Sequence, residues 1–268
     1  MSKLKLCIFT LALFVANVTF AANIKAVVFD CDGTLIDNGS AYFLEWEYAL
    51  QRQGYELTSD AFWSFMNENR LLGFPHVDEK IVSYCCKLLG RDAAREIMED
   101  KNAFSKQLHE NNEFPPIQAT IDFLRRLVRE KEHLGIKIGL SSGNTKQQIL
   151  KTLKKFGIDY CFDAIVSGCE DLAEYSDPDG TNKPKPYVYL ETARLLGVLP
   201  DECIAIEDSF TGISSAVSAG CIAVAIPNSY TLAHDFSHAH LRIDSFDGLD
   251  PSDFLMTIDA LISCMHGP

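Results

Sequence analysis

Ala26-Val27-Val28-Phe29-Asp30-Cys31-Asp32-Gly33-Thr34-Leu35-Ile36-Asp37 is the stretch on which the reading of this 268-residue chain turns. Its first four residues are apolar and predict a short strand buried on both faces, the pattern of a parallel sheet covered by helices. The strand runs into two aspartates one residue apart, which extended backbone would project from one face. Gly33 then permits a sharp turn that keeps the backbone close to whatever the carboxylates hold. Taken alone, the segment is also compatible with an acidic turn before a helix.

Outward from this stretch, short apolar runs alternate with amphipathic segments from Ile117 onward. The expected fold class is therefore α/β, with a Rossmann-like parallel sheet as its core. Strands are predicted at Ala26 to Phe29, Ile136 to Leu140, Ala164 to Val166, Cys203 to Ile206, Ile222 to Ile226 and Leu241 to Ile243. Helices are predicted at Gln118 to His133, at Thr145 to Phe156 before Gly157, and at Pro186 to Leu196 before Gly197. Residues 39–114 differ: they are rich in aromatic residues, poor in β-branched runs, and read as several helices inserted between the first and second strands. The expected organisation is a core of residues 22–38 and 115–268 with an all-helical cap of residues 39–114.

The ends of the predicted strands carry the chemistry. The first run ends in Asp30 and Asp32, the run Ile136 to Leu140 in Ser141 and Ser142, and the run Cys203 to Ile206 in Glu207, Asp208 and Ser209. Ligands of open α/β sheets bind at the carboxyl ends of strands, so these groups are expected to converge. Several carboxylates brought together need a cation, and an oxygen-rich set suits a hard ion such as magnesium.

With these motifs in hand, the chain resembles the haloacid dehalogenase superfamily, in its phosphatase branch with a helical cap inserted after the first strand. The four motifs of that family appear in order: Asp30-Cys-Asp-Gly-Thr34, the strand ending in Ser142, Lys183 within Asn182-Lys-Pro-Lys-Pro186, and Glu207-Asp-Ser209. The resemblance covers nearly everything after the first twenty residues. It implies that Asp30 is a nucleophile that becomes phosphorylated. Asp32 would protonate the leaving oxygen and then activate water. Ser142, Lys183 and backbone N–H groups near Cys31 and Gly143 would bind the phosphoryl group. Magnesium would be held by Asp30, the main-chain carbonyl of Asp32 and Asp208, with Glu207 as a further ligand or as support for the ligands.

Within the family, aspartate at position 32 favours phosphate over halide as the group removed, because a halide needs no proton. A cap histidine that assists the phosphomutases is replaced at the aligned position by Tyr42, which favours hydrolysis of a small phosphorylated substrate. A phosphomutase and a phosphate-binding protein without turnover stay open as alternatives. The family's third motif usually follows a short loop ending in Gly-Lys-Pro; here a longer acidic loop ends in Asn182, so Lys185 competes with Lys183, which is preferred because its Lys-Pro-x-Pro context matches the family pattern.

The chain has 24 Lys+Arg against 37 Asp+Glu, a formal charge of −13, which opposes nucleic acid and anionic membranes as partners. A monomer is expected. Lys3 and Lys5 before the apolar run Leu6 to Phe20, then Ala21 and Ala22, read as an export signal over residues 1–21. Cleavage would yield a periplasmic or secreted protein with no stable membrane association; the alternatives are a membrane-anchored or cytoplasmic one. The placement of the cysteines, with Cys203 and Cys221 inside apolar runs and no CxxC pair, argues against a disulfide framework and a zinc site. His234, His238 and His240 are expected to be solvated rather than metal ligands. Asp177-Pro-Asp-Gly180 is expected to be a turn rather than the start of a calcium loop. Trp46 and Trp63 are expected to pack in the core of the cap.

Overall fold

The computed structural model describes residues 24–68, 77–111, 114–228 and 230–265. The export-signal expectation, with Cys7, lies outside these residues. No helix among the described residues is long and apolar enough to cross a membrane.

Among the described residues, six strands form one sheet: β1 (Ala26–Phe29), β2 (Lys137–Ser142), β3 (Ala164–Ser167), β4 (Cys203–Glu207), β5 (Ile222–Ala225) and β6 (Leu241–Arg242). They lie in the order β3-β2-β1-β4-β5-β6, every neighbouring pair parallel. β1 is thus flanked by β2 and β4, and the chain order reverses across it. Phe29 pairs with both Leu140 and Ile206. The next residues along, Asp30, Ser141 and Glu207, therefore stand at one level of the sheet edge.

Alternate residues of the strands feed two cores. Val27, Phe29, Ile138, Leu140, Ile204 and Ile206 point into one, under α5 (Gln118–Leu134), α6 (Lys146–Lys155) and α9 (Pro251–Met265). There Phe123 stacks on Phe246 at 4.2 Å between ring centroids and meets Phe254 edge-on. Ala26, Val28, Cys203 and Ala205 point the other way, under α7 (Tyr187–Leu196) and α8 (Phe210–Ala219). Coverage on both faces is why the strands read as continuous apolar runs. The helix ends follow local chemistry. Thr145 caps α6 through the Gln148 N–H in a capping box, and left-handed glycines close α5, α7 and α8 at Gly135, Gly197 and Gly220.

Residues 39–111 contain α1 (Gly39–Arg52), α2 (Ser59–Glu68), α3 (Val77–Leu89) and α4 (Arg91–Asn111). Trp46, Ala49, Phe62, Met66, Ile81, Cys85, Ala94 and Ile97 give them an apolar cluster of their own, as expected for Trp46. The Trp63 side chain is outside the described set. Ala41 and Leu108, at the ends of this insertion nearest the sheet, pack instead with the first core, as does Phe114.

The strand β2 starts one residue after the expected Ile136 and continues past the expected Leu140 through Ser141 and Ser142, so both serines are paired β residues, in keeping with a motif strand that ends in Ser142. Only His238 of the three histidines is exposed. His234 and His240 are half-buried, and their Nδ1 atoms accept the backbone N–H groups of Phe210 and Ala223 at 3.2 and 3.0 Å. Solvation is thus the wrong expectation for these two, because each replaces a missing backbone acceptor. The eight described cysteines are free thiols. Asp177 to Gly180 form a turn, with Asp177 accepting the Asp179 N–H at 2.9 Å.

Candidate active site

Lys183 is the hub of the sheet edge. Its ammonium lies 2.5 Å from Asp30 Oδ1, 3.1 Å from the Ser141 carbonyl and 2.6 Å from Glu207 Oε1, joining the ends of β1, β2 and β4 at the level where their register aligns them. Its side chain is only 14% exposed. Burial alone would favour the neutral amine, but the Asp30 and Glu207 carboxylates outweigh it and raise the pKa, so the group is an ammonium. Lys185 goes elsewhere. It pairs with Asp177 and Asp179 at 3.1 and 3.5 Å, in the acidic loop that lengthens this segment.

Asp30 and Asp32 differ in surroundings. Asp30 is buried, and burial followed by the charge of Glu207 pushes its carboxyl well above the usual range, against the pull of Lys183. Asp32 is held by side-chain donors: Asn38 Nδ2 reaches Oδ1 at 3.0 Å, while Asn144 Nδ2 and Ser142 Oγ reach Oδ2 at 2.8 and 3.2 Å. Asn38 stands just before α1 without capping it through its side chain, and Asn144 stands two residues past Ser142 at the start of the loop into α6. The sequence reading missed both. Ser142 thus donates to Asp32 here, and accepts the Asn144 N–H at 3.2 Å. Gly143 has open space where a side chain would be. Cys31, between the two aspartates, is a neutral thiol: burial, then Asp32 and Asp30, push its pKa up.

Glu207 and Asp208 are consecutive and play different parts. Glu207 accepts from Lys183 and, at 2.6 Å, from the buried Tyr189 hydroxyl. Gly212 in α8 makes room for it, since a Cβ there would stand 1.8 Å from Glu207 Oε2. Asp208 lies instead against Gly33 and accepts from Asn228 Nδ2 at 3.0 Å. Gly33 has a φ of +81° and a Cβ there would stand 2.1 Å from Asp208 Oδ2, so both its conformation and its lack of a side chain are required. Burial, then Asp30 and Glu207, raise the Asp208 pKa well above the carboxylate norm.

Asp30, Glu207 and Asp208 bring carboxylate oxygens within 4.8 Å of one another. Lys183 bridges Asp30 and Glu207, which leaves Asp208 without a cation of its own in the described contacts, and burial beside two acidic neighbours disfavours its charge unless one is supplied. A hard-oxygen donor set with surplus buried charge fits a divalent cation such as magnesium.

Tyr42, one turn beyond Asn38 on α1, donates its hydroxyl to Asp78 at 2.7 Å. Burial, then Asp78, raise its pKa, which makes it a fixed donor rather than a proton shuttle. Asp78 also takes the buried Lys101 at 2.7 Å, and Glu45 takes it at 3.2 Å.

Sequence comparison agrees with this geometry. The haloacid dehalogenase-like hydrolase family matches residues 24–220. A phosphorylated carbohydrates phosphatase of Thermotoga maritima is 28% identical over 221 residues, 82% of this chain and 91% of that protein. The β-phosphoglucomutase of Bacillus subtilis is 31% identical over 209 residues, 75% of this chain and 83% of that protein. Among solved structures, a β-phosphoglucomutase from Clostridium difficile superposes with a TM-score of 0.59 at 25% identity, covering 89% of this chain and 99% of the other. The chain belongs to the haloacid dehalogenase-like hydrolases and is an enzyme of their phosphatase branch.

Proposed function

We propose that this enzyme hydrolyses a small phosphomonoester with magnesium, through a phosphoryl group carried on Asp30. The observation that carries the reading is the Lys183 bridge, which fixes Asp30 Oδ1 at the convergence of three strand ends beside the Asp208 carboxylate. An Asp30 carboxylate oxygen attacks phosphorus and the bond from phosphorus to the leaving oxygen breaks. Asp32, protonated at that stage, gives its proton to the leaving oxygen. Water then attacks the phosphoryl-Asp30 phosphorus, Asp32 takes its proton, and the phosphorus–Asp30 bond opens to release orthophosphate. Lys183 and Ser142, with the backbone at Cys31 and Gly143, are assigned to the phosphoryl oxygens.

Asp30, Asp208 and the Asp32 carbonyl would hold the magnesium ion, which supplies charge neutralisation between carboxylates and phosphate. Glu207 is assigned to holding Lys183, because that ammonium and Tyr189 already occupy its Oε1. Residues 39–114 are read as a cap that encloses the substrate and selects it. The likeness to a phosphatase of phosphorylated carbohydrates supports a sugar phosphate as the substrate class.

Magnesium-dependent release of phosphate from an aryl phosphate and a panel of sugar phosphates tests the proposal. Wild-type turnover by Asp30→Asn would defeat it. A phosphomutase is the second reading, favoured by the 31% identity to the Bacillus enzyme and opposed by Tyr42, which Asp78 holds as a donor. Product analysis separates them, since a mutase returns an isomeric sugar phosphate instead of orthophosphate. For the mature protein we infer export after removal of residues 1–21; an intact N-terminus on protein isolated from cells would overturn that inference.

A further inference from the structure

The end of β5 brings one more side chain to the sheet edge. Asn228 lies three residues beyond Ala225, and its amide nitrogen donates both to Asp208 Oδ2 at 3.0 Å and to the Gly33 carbonyl at 3.1 Å. Its amide oxygen accepts the N–H groups of Tyr230 and Thr231 at 2.9 and 3.1 Å and the Thr231 hydroxyl at 3.3 Å. The Thr231 hydroxyl in turn accepts the Asn228 N–H at 3.1 Å. Both ends of the amide are therefore engaged, and the side chain is fixed by the loop that carries it. The same loop lays the Tyr230 ring over Gly39, where a Cβ would stand 2.1 Å from the ring. Asp208 is consequently held in a slot, with the Gly33 turn on one side and the Asn228 amide on the other.

We propose that Asn228 is a positioning residue for the divalent-cation site: its amide ties Asp208 Oδ2 to the Gly33 turn and leaves Oδ1 as the ligand oxygen. An amide suits this place because it donates a hydrogen bond without adding charge to a cluster that already holds Asp30, Glu207 and Asp208. Groups that orient a ligating carboxylate in this way commonly set metal affinity by about tenfold or more. The inference rests on Asp208 being a metal ligand, as proposed above. It goes beyond that reading in assigning the loop after β5 a share in the site.

The test is calorimetric titration of magnesium alone into the full chain, first stripped with a chelator, with no substrate present. Asn228→Ala is expected to weaken magnesium binding about tenfold. In parallel assays it should raise the magnesium concentration for half-maximal turnover by a similar factor, with kcat at saturating magnesium within about threefold of wild type. Thr231→Val removes hydroxyl bonds of the same loop but leaves the Asn228 amide on Asp208, and is expected to bind magnesium within about twofold of wild type. Should Asn228→Ala fail to fold, as judged by circular dichroism in chelator, Asn228→Ser takes its place with the same expectation. Unchanged magnesium affinity in the Asn228 variant overturns the proposal, and so does an equal weakening by Thr231→Val, which would mean that loop order alone matters. Asp208→Asn separates the two levels of inference. If it too binds magnesium like wild type, the metal-site reading fails; if it alone loses binding, only the role of Asn228 fails.

Discussion

Lys183 Nζ and Asp30 Oδ1 lie 2.5 Å apart although 153 residues separate them in the chain, and the same ammonium holds Glu207 from a third strand. Removing this buried cation leaves two buried carboxylates facing each other, and breaking a buried pair from one side costs about 3 kcal/mol or more. Lys183→Met should therefore lower stability in urea by about that amount and lower kcat by about a hundredfold or more. Lys183→Arg should not rescue turnover, because a planar fork cannot replace a point charge that serves three acceptors.

Lys185→Ala is the matching control. Its partners Asp177 and Asp179 belong to the acidic loop, and its side chain is one-third exposed. Exposed ion pairs contribute little and Lys185 touches none of the site carboxylates, so kcat/KM on the best substrate should stay within about fivefold of wild type.

Asp208→Asn should separate stability from activity. In chelator, the variant removes a buried carboxylate whose charge burial and its acidic neighbours oppose, and Asn keeps a carbonyl to accept from the Asn228 amide. Denaturation in chelator should show the variant more stable than wild type, because burial and the neighbouring carboxylates oppose the Asp208 charge that Asn lacks. Magnesium should raise the melting temperature of wild type and leave that of the variant unmoved, and the variant should lose turnover.

Gly33→Ala places a methyl group on the Asp208 carboxylate and forces a side chain into left-handed backbone at φ +81°. The variant should lose about 2 kcal/mol or more of stability in chemical denaturation. It should also lose the melting-temperature gain from magnesium, because Asp208 must move to admit the methyl. Gly143→Ala, with open space at the same atom, should lose little stability by the same measurement.

His234 gives a pH dependence away from the chemistry. Burial pushes its pKa down to about 4, and its Nδ1 accepts the Phe210 N–H at the start of α8, so the folded state holds it neutral. The unfolded chain binds the proton near pH 6.5. Between about pH 6.5 and 4 the unfolded state therefore carries more protons, and stability must fall as pH falls through that window. With discount for partial exposure, the loss should be on the order of 1–2 kcal/mol by urea denaturation at pH 7 and pH 4.5. His234→Gln should flatten that part of the profile.

Much of the fold was legible locally. Runs such as Ala26 to Phe29 and Cys203 to Ile206 are apolar because helices cover both faces of the sheet, and that pressure acts on each residue in turn. Helix ends at Thr145 and Gly197 were legible for the same reason, since caps are interactions within a few residues. Strand ends pointed to Asp30, Asp32, Ser142, Glu207 and Asp208 as one group. The rule that ligands sit at strand ends, extended to β5, points to Asn228 as well.

The sequence by itself determined the strand-and-helix alternation, the acidic strand ends and the place of the helical insertion, because each is written in neighbouring residues. Only the tertiary structure placed Lys183 on Asp30 and turned Lys185 to Asp177, a pairing that the Lys-Pro-x-Pro context favoured but that chain neighbours alone do not fix. It likewise decided that Asn38 and Asn144 hold Asp32, that Tyr189 joins Lys183 on Glu207, and that Asn228 holds Asp208. Asparagine and tyrosine carry no periodic signal of their own. Their partners are set by sheet order and register, which bring β1, β2, β4 and β5 to one edge, and those are properties of the packed sheet rather than of any stretch of chain.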